Sequence, residues 1–230
     1  GIQVNSQHNE AIFANSNGHI TGTSVLVSGI AMINSGGSVT PPAVENSPAV
    51  ADPLVSLPEP SVGSCDHTDF TADSGASVVM RPGVYCQKTT INSGATAVME
   101  PGVYIFTGGE YEINSLSSVT GSGVMMYFAD QSARLNVNSG SILELSAPTS
   151  GTYAGMLMFQ SRHPTTKSAP PFIVNSDSSS KLEGTVYLAN GRLELNSQST
   201  ANSGAAYTAI VVNQMVLNSE GNFVVSSNYD

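Results

Sequence analysis

The sequence predicts an all-β chain wound as a parallel β-helix, and three observations carry that prediction. The first is a recurring signature, an apolar residue followed by Asn-Ser. It stands at Val4-Asn5-Ser6, Ile33-Asn34-Ser35, Ile91-Asn92-Ser93, Ile113-Asn114-Ser115, Val137-Asn138-Ser139, Val174-Asn175-Ser176, Leu195-Asn196-Ser197 and Leu217-Asn218-Ser219. A weaker copy sits at Ala14-Asn15-Ser16 and an Asp variant at Ala72-Asp73-Ser74. The second is the step between copies: 19 from 15 to 34, 19 from 73 to 92, 22 from 92 to 114, 24 from 114 to 138, 21 from 175 to 196 and 22 from 196 to 218. A self-similar unit of about 20 to 24 residues marks a stacked repeat. The third is local pattern: short runs of branched and aromatic residues alternate with Pro-Gly, Ser-Gly and Gly-Gly pairs, and no window follows a helical period. A leucine-rich repeat has a similar length, but its leucine pattern is missing. The expectation is one domain, 1–230, a right-handed three-sided solenoid.

In such a stack the Asn residues fall at corners. Asn tolerates the left-handed backbone region that the corners are expected to need. Stacked amides about 4.8 Å apart form a side-chain ladder. The ladder members are Asn34, Asp73, Asn92, Asn114, Asn138, Asn175, Asn196 and Asn218, with the following Ser or Gly closing each corner.

Residues 1–40 read as the first coils, with strand pieces at Ile12-Phe13, His19-Ile20, Val25-Leu26-Val27 and 30–33. Residues 41–62 contain six prolines. They predict an extended excursion against the side of the solenoid, which accounts for the step of 39 from 34 to 73. Residues 65–145 are the most regular part. Arg81-Pro82-Gly83-Val84-Tyr85 and Glu100-Pro101-Gly102-Val103-Tyr104 are near copies 19 apart, and Val124-Met125-Met126-Tyr127-Phe128 is a wider apolar strand. A second excursion at 160–171, after the buried strand Met156-Leu157-Met158-Phe159, accounts for the step of 37 from 138 to 175. Regular coils then resume, with Asn190-Gly191 read as a corner and Phe223-Val224-Val225 as the last coil.

Charged residues are 10% of the chain and the net charge is −10, with only 7 Lys plus Arg scattered singly. Without a basic patch, nucleic acid is not an expected partner. No apolar run reaches the length of a membrane span, and the chain starts at Gly1 without Met, as a mature or excised fragment would. The low charge and abundant Ser, Thr, Asn and Gly suit an extracytoplasmic protein in the periplasm, at the cell surface or secreted. Cys65 and Cys86 are 21 apart, one coil, which predicts a disulfide and an oxidising compartment.

Enzymatic chemistry is sought and not found. No nucleophile elbow, zinc-protease, phosphate-loop or dinucleotide motif occurs, so no catalytic residue and no cofactor is assigned. Asp66 and Asp69, with His67 and Asp73 nearby, are weak metal candidates; a solvated segment beside the disulfide is the plainer reading. Glu110 and Glu112 share one strand face and have no evident acid partner. Arg162 and His163 stand in a loop that is a candidate contact surface. Ice binding calls for a repeated flat Thr array, and Thr21-x-Thr23 is a single instance.

Several segments resemble the C-terminal region of TadG-like proteins of the TadE/TadG family, bacterial tight-adherence (Tad) pilus-assembly proteins. They are Asp52-Pro53-Leu54 to Pro60, Gly63-Ser64-Cys65, Pro82-Gly83-Val84-Tyr85-Cys86, Ile91 to Ala95, Pro101 to Tyr104, and Ala147 to Gln160. The resemblance spans about residues 1–200 and implies a non-enzymatic role in pilus assembly or adhesion, as a rigid scaffold or surface-contact module. Implied partners are other pilus or cell-envelope proteins and a surface or glycan receptor. The membrane helix and the von Willebrand factor A-like domain that such proteins carry are not seen in this sequence. A carbohydrate-active or carbohydrate-binding β-helix is the alternative.

Overall fold

The computed structural model describes residues 1–163, 170–175, 180–196, 200–201, 205–218 and 222–224, with backbone alone at 200–201 and 222–224. Among these residues every regular element is a strand. The strands pair in parallel, one coil on the next, as a β-solenoid of about nine turns. Each coil contributes to each of three sides, in two coils with one continuous strand covering two of them.

Why each coil turns where it does is visible in the signature. The apolar residue before Asn points inward: Ile91, Ile113, Val137, Val174, Leu195, Leu217 and Ala14 are all buried in the core. They also lie in register from coil to coil. The Asn that follows opens a tight turn. Its carbonyl accepts the N–H three residues on, as in Ala95 to Asn92 at 2.9 Å, Gly37 to Asn34 at 2.9 Å and Ser117 to Asn114 at 3.2 Å. The left-handed residue is therefore not the Asn, as the sequence suggested, but the residue two places later: Gly36, Gly75, Gly94 and Gly140, Asn17 in one coil and Leu116 in another, joined at Asn15 and Asn34 by the Ser between, Ser16 and Ser35. A turn whose third residue has positive φ needs glycine or Asn there, and the Asn of the signature is one step outside that requirement.

The order of the coils departs from the order of the chain. Coil 1 is His67–Thr68, Thr71–Ala72 and Ser77–Met80; coil 2 is Gly83–Cys86, Thr89–Ile91 and Thr96–Met99. Coil 3 is Gly102–Thr107, Glu110–Ile113 and Ser118–Ser122; coil 4 is Val124–Phe128, Arg134–Val137 and Ile142–Ser146. Coil 5 takes Met156–Gln160, Phe172–Val174 and the start of Lys181–Leu195, whose remainder opens coil 6 before Thr200–Ala201. Coil 7 is Thr208–Leu217, which covers two sides, and Asn222–Val224. The next layer is the N-terminus. Ile2–Val4 and Ile12–Ala14 pair with Thr208–Leu217, and His19–Thr21 pairs with Asn222–Val224. They form coil 8, and Val25–Val27, Ala31–Ile33 and Ser38–Thr40 stack on it as coil 9.

Residues 1–40 are thus the far end of the stack rather than its start, and the strand at Asn222–Val224 lies between two others rather than at the end. The long step from 34 to 73 joins the two ends of the solenoid instead of two neighbouring coils. Residues 41–66 cover that distance as a strap along the first side, about 38 Å for eight coil spacings. The second excursion lies at a corner of coil 5, and its residues 164–169 are outside the described set, as is Val225.

A run of neighbouring rings passes through the core, in tilted, stacked and edge-to-face contacts. Tyr85, Phe106, Phe128 and Phe172 follow one another at centroid distances of 5.6, 5.4 and 4.9 Å. The Pro-Gly-Val-Tyr copies feed this run. In each, the buried Tyr hydroxyl donates back to the carbonyl four residues earlier, Tyr85 to Arg81 and Tyr104 to Glu100, both 2.8 Å. Gly102 has φ +146°, and a Cβ there would strike the Pro82 ring of the coil below. The motif is therefore a corner in which Pro and Gly stack and Tyr closes the loop from inside.

Candidate functional site

The three sides carry three different chemistries. On the first side the outward column Val84, Ile105, Tyr127, Phe159 and Tyr187 is apolar, and it is buried because the strap lies on it. Leu54 and Leu57 of the strap pack into this second cluster. Arg162 is the centre of attachment. Its guanidinium reaches Glu59 at 3.2 Å and Asp52 at 3.4 Å. It also donates to the carbonyls of Leu54 and Leu57 and to the Tyr187 hydroxyl, and it sits 5.0 Å from the Phe159 ring centroid. Tyr127 and Tyr187 donate to Glu59 and Asp52, each at 2.6 Å. Burial pushes the Glu59 carboxyl up, but hydrogen bonds from Tyr127, the Arg162 N–H and Ser161, with the Arg162 charge, outweigh it and hold the group below its ordinary value. Burial, then the hydrogen bonds to these carboxylates, pushes Tyr127 and Tyr187 up to about 12.

The strap is fixed at both ends. Near coil 9, Val44 bridges Leu26, and Val50 exchanges two hydrogen bonds with the Asn5 side chain. Near coil 2, Cys65 and Cys86 form a disulfide with Cα atoms 5.7 Å apart.

The second side is laced with ion pairs: Lys88 with Glu112 at 2.7 Å, Arg134 with Glu110 at 3.4 Å and Arg192 with Glu194 at 3.2 Å. The two carboxylates singled out in the sequence, Glu110 and Glu112, are each held by a cation from a neighbouring coil. All six described Lys and Arg residues stand in ion pairs.

The third side has no cover over coils 1–3. Its outward residues form two columns in register, Ser77, Thr96 and Ser118 beside Val79, Val98 and Thr120. Val79 and Val98 are 59% and 44% exposed. In coils 8 and 9 the same side presents His19 over Ser38 and Thr21 over Thr40. Among the described residues of these strands, Lys, Asp and Glu enter at coils 4 and 5, where Lys181 lies in register with Glu144 and pairs with Glu183 at 3.0 Å. The array does not show as a run in the sequence, because its members are 19 and 22 residues apart rather than in one strand.

The predicted site residues fall as follows. The corner column runs through all nine coils, each N–H bonding the carbonyl that precedes the column member beneath it, as in Asn114 to Ile91, Asn138 to Ile113, Asn175 to Val137 and Asn218 to Leu195. Side-chain rungs join Asn92, Asn114 and Asn138, at 3.4 and 3.0 Å, and Asn196 and Asn218, at 2.9 Å. Asn34 stands exposed on the end coil, Asp73 is exposed on the opposite one, and the Asn175 side-chain oxygen is buried with no hydrogen-bond partner among the described residues. Asp66 is committed to the backbone, accepting from the Val84 N–H at 2.8 Å. Asp69 has a left-handed backbone, φ 50°, at an exposed turn. Among the described residues no three His, Cys, Asp or Glu side chains gather as a metal group. Arg162, read from sequence as part of an open contact loop, is spent inside the molecule on the strap; His163 beside it is exposed.

Fold and surfaces together define a strapped parallel β-solenoid with one covered, one ion-paired and one open side. Among the described residues no helix is long and apolar enough to cross a membrane, and the disulfide agrees with an oxidising, extracytoplasmic compartment. No protein-family model, curated protein or solved structure matches the chain.

Proposed function

We propose that this protein is a non-enzymatic extracytoplasmic scaffold that presents a flat contact surface, and that the system it serves is a Tad-type pilus-assembly or adhesion apparatus. The resemblance of its segments to TadG-like proteins supports the second part. The first part rests on one observation: nine coils are tied end to end by a strap on the first side, while the third side, open over coils 1–3, carries little charge among the described residues. A surface of hydroxyls and short branched side chains on a rigid sheet loses little entropy on contact. Partners are pilus or cell-envelope proteins. The test is capture of defined pilus subunits by the purified chain, compared with a Thr96→Arg/Val98→Glu variant. Retention by the parent and loss by the variant is the expected result. Turnover of a polysaccharide, abolished by one carboxylate substitution, would overturn it.

The third side also favours a second reading, contact with an ordered lattice of water. Columns of hydroxyls and methyls repeat there at the spacing of stacked strands, about 4.8 Å. Ice-recrystallisation inhibition by the parent and not by the same variant would replace the protein partner with ice.

A further inference from the structure

A cleft of about 630 Å³ opens at the corner between the first and second sides, where the N-terminal coil sits on the C-terminal ones; it is lined by Ser6, Gln7, His8, Glu10, Arg192, Asn213 and Gln214. We propose that it binds a short stretch of neutral glycan.

The cleft exists because neighbouring coils spend different lengths of chain at one corner. Coils 6 and 7 turn it inside single strands, Lys181–Leu195 and Thr208–Leu217. Coil 8 spends residues 5–11 there, between Ile2–Val4 and Ile12–Ala14. The longer loop overhangs the short corners, and Arg192 and Gln214, paired in register, form the floor. The overhang is ordered by its own bonds. The Gln214 amide donates to the Glu10 carbonyl at 2.9 Å, and the Glu10 N–H donates to His8 Nδ1 at 3.1 Å. The His8 N–H donates to Ser6 Oγ at 3.2 Å, and the Ile30 N–H to the His8 carbonyl at 3.1 Å.

The chemistry of the lining selects the ligand. Every lining residue is polar, with no aliphatic, Phe, Tyr or Trp side chain among them, so the cleft favours a ligand that is itself polar. Its cation, Arg192, is offset by Glu194, at 3.2 Å, and by Glu10 across the cleft. The chain carries −10 overall, which repels polyanions. What remains is a set of mixed donors and acceptors: three amides, the exposed Gln7 among them, a hydroxyl, an imidazole, a carboxylate and a guanidinium. Vicinal hydroxyls, each both donor and acceptor, match such a set, and the volume suits a ligand of two or three sugar units. With no aromatic platform the single-site affinity is weak, so binding is strong only where many copies face one glycan-coated surface.

This site is separate from the third side, and its test is independent of the proposed function. The full chain is titrated with neutral cello-, chito-, malto- and xylo-oligosaccharides and with an acidic oligogalacturonate, read by saturation-transfer NMR and calorimetry. At least one neutral series binds, and Gln7→Ala, Asn213→Ala and Arg192→Met each weaken it about tenfold; Val98→Glu leaves it unchanged. Gln7 is exposed, so its variant keeps the fold even if Arg192→Met does not. Absence of binding by every neutral series up to about 10 mM, binding of the acidic chain alone, or binding untouched by all three cleft variants would overturn the proposal.

Discussion

At Leu116 the corner turn takes a left-handed backbone, φ 63°, where four other coils have glycine. The side chain is 76% exposed, so it returns little burial for a conformation that costs a non-glycine residue about 1–2 kcal/mol. Leu116→Gly is expected to raise stability by about 1 kcal/mol, seen as a thermal midpoint a few degrees higher. Arg162 is the opposite case, since one guanidinium serves two carboxylates, two carbonyls and two rings. Arg162→Met strands Asp52 and Glu59 against the apolar first side, and a loss of about 2–4 kcal/mol is expected in denaturant titration. The Tyr hydroxyl of the Pro-Gly-Val-Tyr copies was not legible in the sequence. The motif announced a corner, but the return bond from Tyr85 to Arg81 depends on the ring pointing inward, which only the coil register decides.

The strap is the element whose stability should depend most on conditions. Glu59 is held below its ordinary value in the folded state. Its contribution is complete above the ordinary carboxylate range and is lost as pH falls through the lowered value. Tyr127 and Tyr187 are raised to about 12. Their contribution is complete below the ordinary phenol value of about 10 and is lost as pH rises toward 12. Proteolysis within residues 41–62 is therefore expected to be slowest between about pH 5 and pH 10, and Glu59→Gln should flatten the acid limb. Reducing Cys65–Cys86, 21 residues apart in sequence, should cost about 3 kcal/mol and free the strap first at coil 2. A hint of the strap was present in the sequence. Met125-Met126-Tyr127-Phe128 and Met156-Leu157-Met158-Phe159 are apolar at every position, where a one-sided strand would alternate. A strand apolar on both faces has both faces covered, and Leu54 and Leu57, among the prolines, are what cover this one. The recurring Asn-Ser and its spacing made the coil itself legible, since they mark the point where every inward apolar residue gives way to a corner.

For the whole molecule, the order of coils was hidden for a simple reason. Each coil carries the same corner chemistry, so a step of 39 reads equally as one coil with an insertion or as a jump between ends. Spin labels at residues 34 and 73 distinguish the two: they are expected about 38 Å apart, not one coil apart. The same topology predicts a permutation. Asn222–Val224 already hands over to Ile2–Val4 in the stack, so joining residue 230 to residue 1 and opening the chain within 41–62 should give a folded solenoid with its coils in sequence order. Circular dichroism like the parent's and an undiminished unfolding midpoint would bear this out.

The docking of residues 1–40 onto Thr208–Leu217 also sets a timetable for synthesis. Residues 1–40 are made well before their platform at residues 208–217, so they must wait, unpaired and adhesive at their strand edges, until that segment has been made. Ribosome-bound nascent chains cut short before residue 208 should therefore expose this segment to chaperones and proteases, and the finished protein should protect it.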